Sequence, residues 1–434
     1  MKVKKRVKKT EKSYETEVEY TYLKLGYHPK DSIVCLFRIE PAAGMTLKKA
    51  AEHVALESSI GTWTLVPRKS YMNHLAAKIF EIDGNLVKIA YPSELFEHGN
   101  APNILSSIAG NIFGMKAVKN LRLEDVSFPE SILRGFKGPR LGIEGIRKEL
   151  QVKNRPFLGT IIKPKLGLNS RDHAESAYNA WVGGCDIVKD DENLASQNFN
   201  LFERRLALTL EKKDKAESET EEKKAYLVNV TAETNEMMRR AQIVEDMGAR
   251  FCMVDILTEG WGALQTLRNA NFKLAIHGHR AMHAAMTRNK KHGISMMTIA
   301  DFARMIGVDS LHIGTGIGKL EGSAKDIREI EGEIENEKVK ETHSRLKQDW
   351  GRIKPVLGVC SGGLHPGHIP FLIKHFGNDI SIQLGGGIHG HPLGTKIGAI
   401  AARQAIDAAI AGIPLRKYAE HYPELNAALK QWWR

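Results

Sequence analysis

From about residue 155 onward, short apolar runs recur, each closing on glycine or polar residues. They span 157–162, 185–188, 226–230, 252–256, 273–277, 310–313, 355–360 and 381–384. Helix-length segments at 170–182, 233–247, 260–270, 296–306 and 366–376 lie between most of them. Strands buried on both faces read as unbroken apolar runs, and parallel neighbours need crossovers of about a dozen residues or more. Eight such units predict an α/β architecture, a (β/α)8 TIM barrel. A doubly wound sheet stays open, because periodicity alone does not separate the two.

The first part of the chain has a different texture. Residues 16–40 alternate in strand fashion. Residues 45–58 read as a helix, with Thr46 as N-cap and Ala50, Ala51, Val54 and Ala55 on one face. Strands are expected at 60–66, 76–82 and 86–91, and a helix near 101–111. Without regular βα alternation, this mixture predicts an N-terminal α+β domain. The expected division is a basic tail over 1–12, the α+β domain over 13–135 and the barrel with C-terminal helices over 136–434. The charged stretches 211–224 and 324–349 read as solvent-facing helices with no role in a site.

Composition narrows this picture. Apolar residues at 42% and charged residues at 26% exclude a mostly disordered chain. No apolar run is long enough to span a membrane, and no h-region follows the basic N-terminus, so a cytoplasmic protein without a secretory leader is expected. The four cysteines are far apart and read as idle thiols. Seven Lys/Arg and one Glu in residues 1–12 carry +6, half the chain's net +12. The body is therefore only mildly basic, and a nucleic-acid role is the minor reading.

Barrel active sites are built at the C-terminal ends of the strands. There the chain places Lys163-Pro-Lys165, Lys189-Asp-Asp191-Glu192-Asn193, His277-Gly-His279-Arg280, His312, Ser361-Gly362-Gly363 and Gly385-Gly386-Gly387. Asp191 and Glu192 are hard oxygen donors suited to Mg²⁺. A plain Lys189 ammonium would repel the ion; carbamylated by CO2, it would offer an oxygen ligand and a base. The glycine runs expose backbone N–H groups where phosphate can bind, at the starts of expected helices. The loop 314–319 fails the P-loop spacing and reads as a lid carrying Lys319.

These segments resemble the large subunit of ribulose-1,5-bisphosphate carboxylase/oxygenase (RuBisCO). The resemblance rests on 183–193, 162–167, 279–283, 318–322, 361–363 and 385–387, and in the first domain on 57–63 and 110–114. It extends over nearly the whole chain after the tail. Phrases such as Gly293-Ile-Ser-Met-Met and His312-Ile-Gly-Thr resemble the archaeal-type form III. Ile313 and Ile161 stand where plant-type enzymes have serine and threonine. Those departures bear on kinetic quality and CO2/O2 preference, not on reaction class.

The resemblance implies an N-terminal ferredoxin-like domain and a barrel. It implies carboxylation of ribulose 1,5-bisphosphate by CO2 to two 3-phosphoglycerate, with an O2 side reaction. Carbamylated Lys189, Asp191 and Glu192 would hold Mg²⁺, and the carbamate would take the C3 proton. Lys163 would protonate the final carbanion with support from Lys165, His279 would assist hydration and cleavage, and Lys319 would orient CO2. Thr62, Trp63, Gly363, Gly385 and Gly386, with Gly362 beside them, would hold one phosphate. Arg280 and His312 would hold the other, near Ser361. Glu57 and Asn111, with Thr62 and Trp63, would reach a neighbouring subunit's site, implying a homodimer without small subunits, sometimes built into rings. Form III relatives are tied to nucleotide salvage. The alternative is a RuBisCO-like enolase or isomerase acting on a methylthio sugar phosphate. Such relatives usually lose several of the substrate-site residues that this chain retains.

Overall fold

The computed structural model describes residues 22–62, 70–318 and 322–433. Its first unit is a βαββαβ arrangement. Strand β1 (Ser32–Pro41) leads to a helix over Leu47–Glu57, then β2 (Lys78–Asp83), β3 (Leu86–Pro92), a helix over Ala101–Ile108 and β4 (Val118–Ser127). The sheet order is β4-β1-β3-β2, all antiparallel, which is the ferredoxin-like pattern. Thr46 caps the first helix by accepting from the Lys49 N–H at 3.3 Å, and Ala50, Ala51, Val54 and Ala55 are its buried face. The strand expected over 16–40 begins only at Ser32 among the described residues. Residues 60–62 are not strand, and 63–66 lie outside the described residues. Strand β4 was not expected, because Lys119, Arg122, Glu124 and Asp125 break up its apolar pattern.

The second unit is a closed barrel of eight parallel strands in chain order. These are β5 (Phe157–Ile161), β6 (Ile187–Lys189), β7 (Ala225–Asn229), β8 (Phe251–Asp255), β9 (Ala275–His279), β10 (Ser310–His312), β11 (Leu357–Ser361) and β12 (Ile380–Gln383). Closure onto β5 excludes the doubly wound sheet. Nearly every strand residue is buried, since helices cover the outside and side chains fill the inside. The two units are knit together: Gly293–Ile294 adds a short parallel edge to β4, and Leu346 packs on Leu36 and Leu86 of the first sheet.

The first charged stretch is helical over 211–220 and mostly exposed, as expected, while the second departs from expectation. The first ends a helix over Phe202–Thr220 whose buried side carries Arg205, Leu206 and Leu210. The second is helical only over Ala324–Glu335, and there Glu331 and Glu333 are buried. A small ladder, Lys338–Val339 against Gln348–Asp349, follows. Spacing marked the helix but could not show that the first sheet and the barrel close over it.

Candidate active site

The C-terminal strand ends converge as the sequence suggested. Just past β5, Lys163 donates from Nζ to Asp191 Oδ2 at 2.6 Å, and exposed Lys165 donates to Asn193 Oδ1 at 2.7 Å. Gly385, after β12, has no side chain to block Lys163: a Cβ there would lie 3.1 Å from Lys163 Cε. Lys189 is the last residue of β6 and is fully buried. Its Nζ donates to the Asp190 carbonyl at 2.7 Å, lies 3.0 Å from Met253 Sδ and is 3.9 Å from Glu192 Oε2. Burial lowers the proton affinity of this amine, against the pull of Glu192, Asp255, Asp191 and Asp190.

The three successive carboxylates have different fates. Asp190 turns away from the mouth and accepts from Arg205 Nε at 3.1 Å, Tyr226 Oη at 2.6 Å and the Asn229 N–H at 3.0 Å. Asp191 faces Lys163. Glu192 lies 3.7 Å from His279 Nε2. Burial pushes the Glu192 carboxyl up, but Lys189, His279 and Lys163 more than offset this and hold it below its ordinary value. Among the described residues, no group of three His, Cys, Asp or Glu is arranged for a metal. Asp191 and Glu192 therefore fit a hard divalent cation only with a third donor, and Lys189 is the residue placed beside them.

On the other side of the mouth, His279 pairs through Nδ1 with Asp255 Oδ1 at 2.7 Å. His279 belongs to β9, where the sequence put it past the strand end. Arg280 is buried and donates to the Ile313 carbonyl at 3.1 Å; burial lowers its affinity to a pKa of about 10. Both ring nitrogens of His312 are occupied, Nδ1 by Ser361 Oγ at 2.7 Å and Nε2 by His277 Nε2 at 2.9 Å. Ser361 Oγ is thus the outer end of a chain that runs back through His312 to His277. Gly362 and Gly363 have φ of 128° and 71°, and a Cβ on Gly318 (φ 90°) would lie 2.7 Å from the Gly362 carbonyl. The base of the Gly-rich loop is thereby seated on the glycine turn. Lys319 itself lies outside the described residues. The turn at 362–363 does not open a helix directly, because residues 366–368 form a 3₁₀ turn first. Gly385 and Gly386 open the short helix Gly386–His389.

Among the described residues, no hydrogen bond or ion pair joins Glu57, Thr62 or Asn111 to the barrel mouth, and Trp63 lies outside the described residues. Sequence reasoning missed Asp255, Asn229 and His277. The first two close β8 and β7, the two strand ends it passed over. His277 was seen but given no role.

Comparison with known proteins fits this geometry. The ribulose bisphosphate carboxylase large chain N-terminal domain matches residues 21–132, and the catalytic domain of the same large chain matches 142–432. A ribulose bisphosphate carboxylase of Methanosarcina barkeri is 50% identical over 423 residues, covering 95% of this chain and 98% of that relative. One from Methanocaldococcus jannaschii is 49% identical, covering 95% and 99%. The dimeric archaeal Rubisco of Hyperthermus butylicus superposes with a TM-score of 0.89 at 46% identity, covering 95% of this chain and 98% of that one. The octameric enzyme of Pyrococcus horikoshii gives 0.87 at 45%, covering 94% and 96%. The strand-end lysines and carboxylates, the βαββαβ domain and these likenesses agree: the chain belongs to the ribulose bisphosphate carboxylase large-chain family.

Proposed function

We propose that this chain carboxylates ribulose 1,5-bisphosphate with CO2 to give two 3-phosphoglycerate, with O2 as a competing co-substrate. The observation that carries the reading is the buried Lys189 amine of lowered proton affinity beside Asp191, Glu192 and Lys163. Only a neutral amine adds CO2, so burial favours the carbamate. Carbamylated Lys189, Asp191 and Glu192 hold Mg²⁺, which when bound supplies Lewis-acid stabilisation of developing negative charge. Lys189, as the carbamate, takes the C3 proton. Lys163 delivers a proton to the C2 carbanion of the upper product half, with Lys165 as electrostatic support. His279, oriented by Asp255, handles the proton of the hydrating water. Lys319 orients CO2.

One phosphate sits on Thr62, Trp63, Gly362, Gly363, Gly385 and Gly386, the other by Arg280 and Ser361 with His312. The lack of any described bond from Glu57, Thr62 or Asn111 to the mouth fits a homodimer in which the 13–135 domain of one subunit completes the 136–434 barrel of its partner. The dimeric and octameric archaeal relatives favour a homo-oligomer, and the proposed assembly has no small subunit. No described helix is long and apolar enough to cross a membrane, and the cytoplasm is the proposed site of action. Relatives named as carboxylases disfavour the enolase reading.

The test is incorporation of labelled CO2 into 3-phosphoglycerate without oxygen, after preincubation with CO2 and Mg²⁺. Product that depends on the preincubation is expected. Folded, oligomeric protein that makes none would overturn the reading.

A further inference from the structure

The barrel mouth holds a buried polar chain whose inner members, Ser310 and His277, have no part in the roles above. Ser310 Oγ lies 2.8 Å from His277 Nδ1, and His277 Nε2 lies 2.9 Å from His312 Nε2. His312 Nδ1 lies 2.7 Å from Ser361 Oγ. The barrel register builds it: Ser310 on β10 stands opposite His277 on β9. His277 and His312 are 1% and 4% exposed, so water does not replace a missing partner. Their rings meet edge to face at 4.8 Å, and His279 meets the His312 ring in the same way at 4.7 Å. Burial first, then the nearby Lys189 and His279, hold His277 well below its ordinary value; burial, then His279, His277, Lys189 and Arg280, do the same for His312. Both imidazoles are therefore neutral, with one N–H each.

We propose that His277 is a positioning residue that sets the proton on His312 and so makes Ser361 a hydrogen-bond donor toward a phosphate oxygen. The argument is a proton count. Four groups carry four protons, and three contacts need one each. Two arrangements satisfy every contact. In one, Ser310 donates to His277, His277 Nε2–H donates to His312, and His312 Nδ1–H donates to Ser361; the Ser361 hydroxyl proton then points into the mouth. In the other, every bond reverses, and Ser361 offers only lone pairs there. An anion beside Arg280 and Ser361 selects the first, because lone pairs repel it. A donor at the His277 Nε2 position is what permits that selection. The inference rests on the reading in which this pocket receives a phosphate group.

The test uses the full-length protein with ¹⁵N-labelled histidine. Imidazole nitrogen spectra are recorded with and without inorganic phosphate, and signals are assigned by single His substitutions. With phosphate, the His312 proton is expected on Nδ1 and the His277 proton on Nε2; His277→Leu should weaken the His312 preference. A His312 proton on Nε2 in the presence of phosphate, spectra that phosphate leaves unaltered, or no effect of His277→Leu would each overturn the proposal. Steady-state kinetics supply a second arm. His277→Leu should raise KM for ribulose 1,5-bisphosphate about tenfold, the loss of one hydrogen bond to a charged group, and lower kcat less. His277→Gln should recover most of the lost affinity, because its amide NH2 can donate to His312 while its amide oxygen accepts from Ser310. An equal defect in both variants would count against the proposal. Absence of carboxylation in the unaltered protein would instead refute the functional reading, while the phosphate spectra still decide the proton chain.

Discussion

At Lys189, the cost of burying an ammonium and the pull of four nearby carboxylates oppose each other, and burial wins. That balance makes the side chain a poor structural cation and, on the proposed reading, the amine that adds CO2. Lys189→Ala should abolish labelled-CO2 incorporation while far-UV circular dichroism and assembly stay as in the unaltered protein. Carboxylation that survives would remove the lysine from the chemistry. Lys319→Ala should still exchange the C3 proton of ribulose 1,5-bisphosphate with solvent but lose carboxylation. Equal loss of both activities would show that Lys319 is not specific to CO2. Which two of the three carboxylates after Lys189 face the mouth was not legible from spacing. It depends on Arg205 and Tyr226, 15 and 36 residues further on, that claim Asp190.

At the scale of elements, that claim ties the end of β6 to the helix over Phe202–Thr220 and to β7. Arg205 is fully buried, and it also donates to the Asn200 and Ala195 carbonyls. Arg205→Met keeps the volume but leaves Asp190 without its cation. The loss should cost about 3–5 kcal/mol in denaturant unfolding, as for a buried pair broken on one side. A cost within about 0.5 kcal/mol, the range of surface changes, would show that Tyr226 and Asn229 suffice. The barrel strands were legible to within a few residues because both of their faces are buried. Strand β4 was not, since Arg122 and Asp125 are buried in it by partners outside the strand: Arg122 donates to the Thr287 carbonyl, and Asp125 accepts from the Leu346 N–H.

At the scale of the whole molecule, the joint between sheet and barrel buries Asp125, Asp301 and Glu333. Asp301 lies beside Asp125 and the Val126 N–H, and takes no bond from neighbouring Arg304, whose terminal nitrogens donate to the carbonyls of Glu333, Asn336 and Ile353. Burial pushes Asp125 up to about 7 and Glu333 up to about 8, and pushes Asp301 well above its ordinary value. Raised carboxyls bind more protons folded than unfolded, so their contribution is present at low pH and lost as pH rises through about 7–8. His277 and His312, held neutral, act in the opposite sense only below about 6.5. Stability should therefore fall between about pH 6.5 and 8. Asp301→Asn should flatten that slope and raise stability at pH 8 by about 1–2 kcal/mol, roughly one unit of pKa or slightly more. Parallel curves for the two proteins would show that Asp301 does not set that slope.

Local pattern alone determined the eight barrel strands and their helices, the Thr46 cap, and which strand ends carry lysine, carboxylate, histidine and glycine, because burial on both faces and backbone capping leave marks within a few residues. The resemblance added the ferredoxin-like order and the roles. Tertiary structure decided what depends on partners far away in the chain. It turned Asp190 inward, placed Asp255 behind His279, and engaged both His312 nitrogens. It also buried Glu333 in a stretch that reads as solvent-facing. Charge and hydrogen bonding act through space, and a side chain's partner is chosen by the fold, so the residue type shows what a group can do and only the packed structure shows to whom.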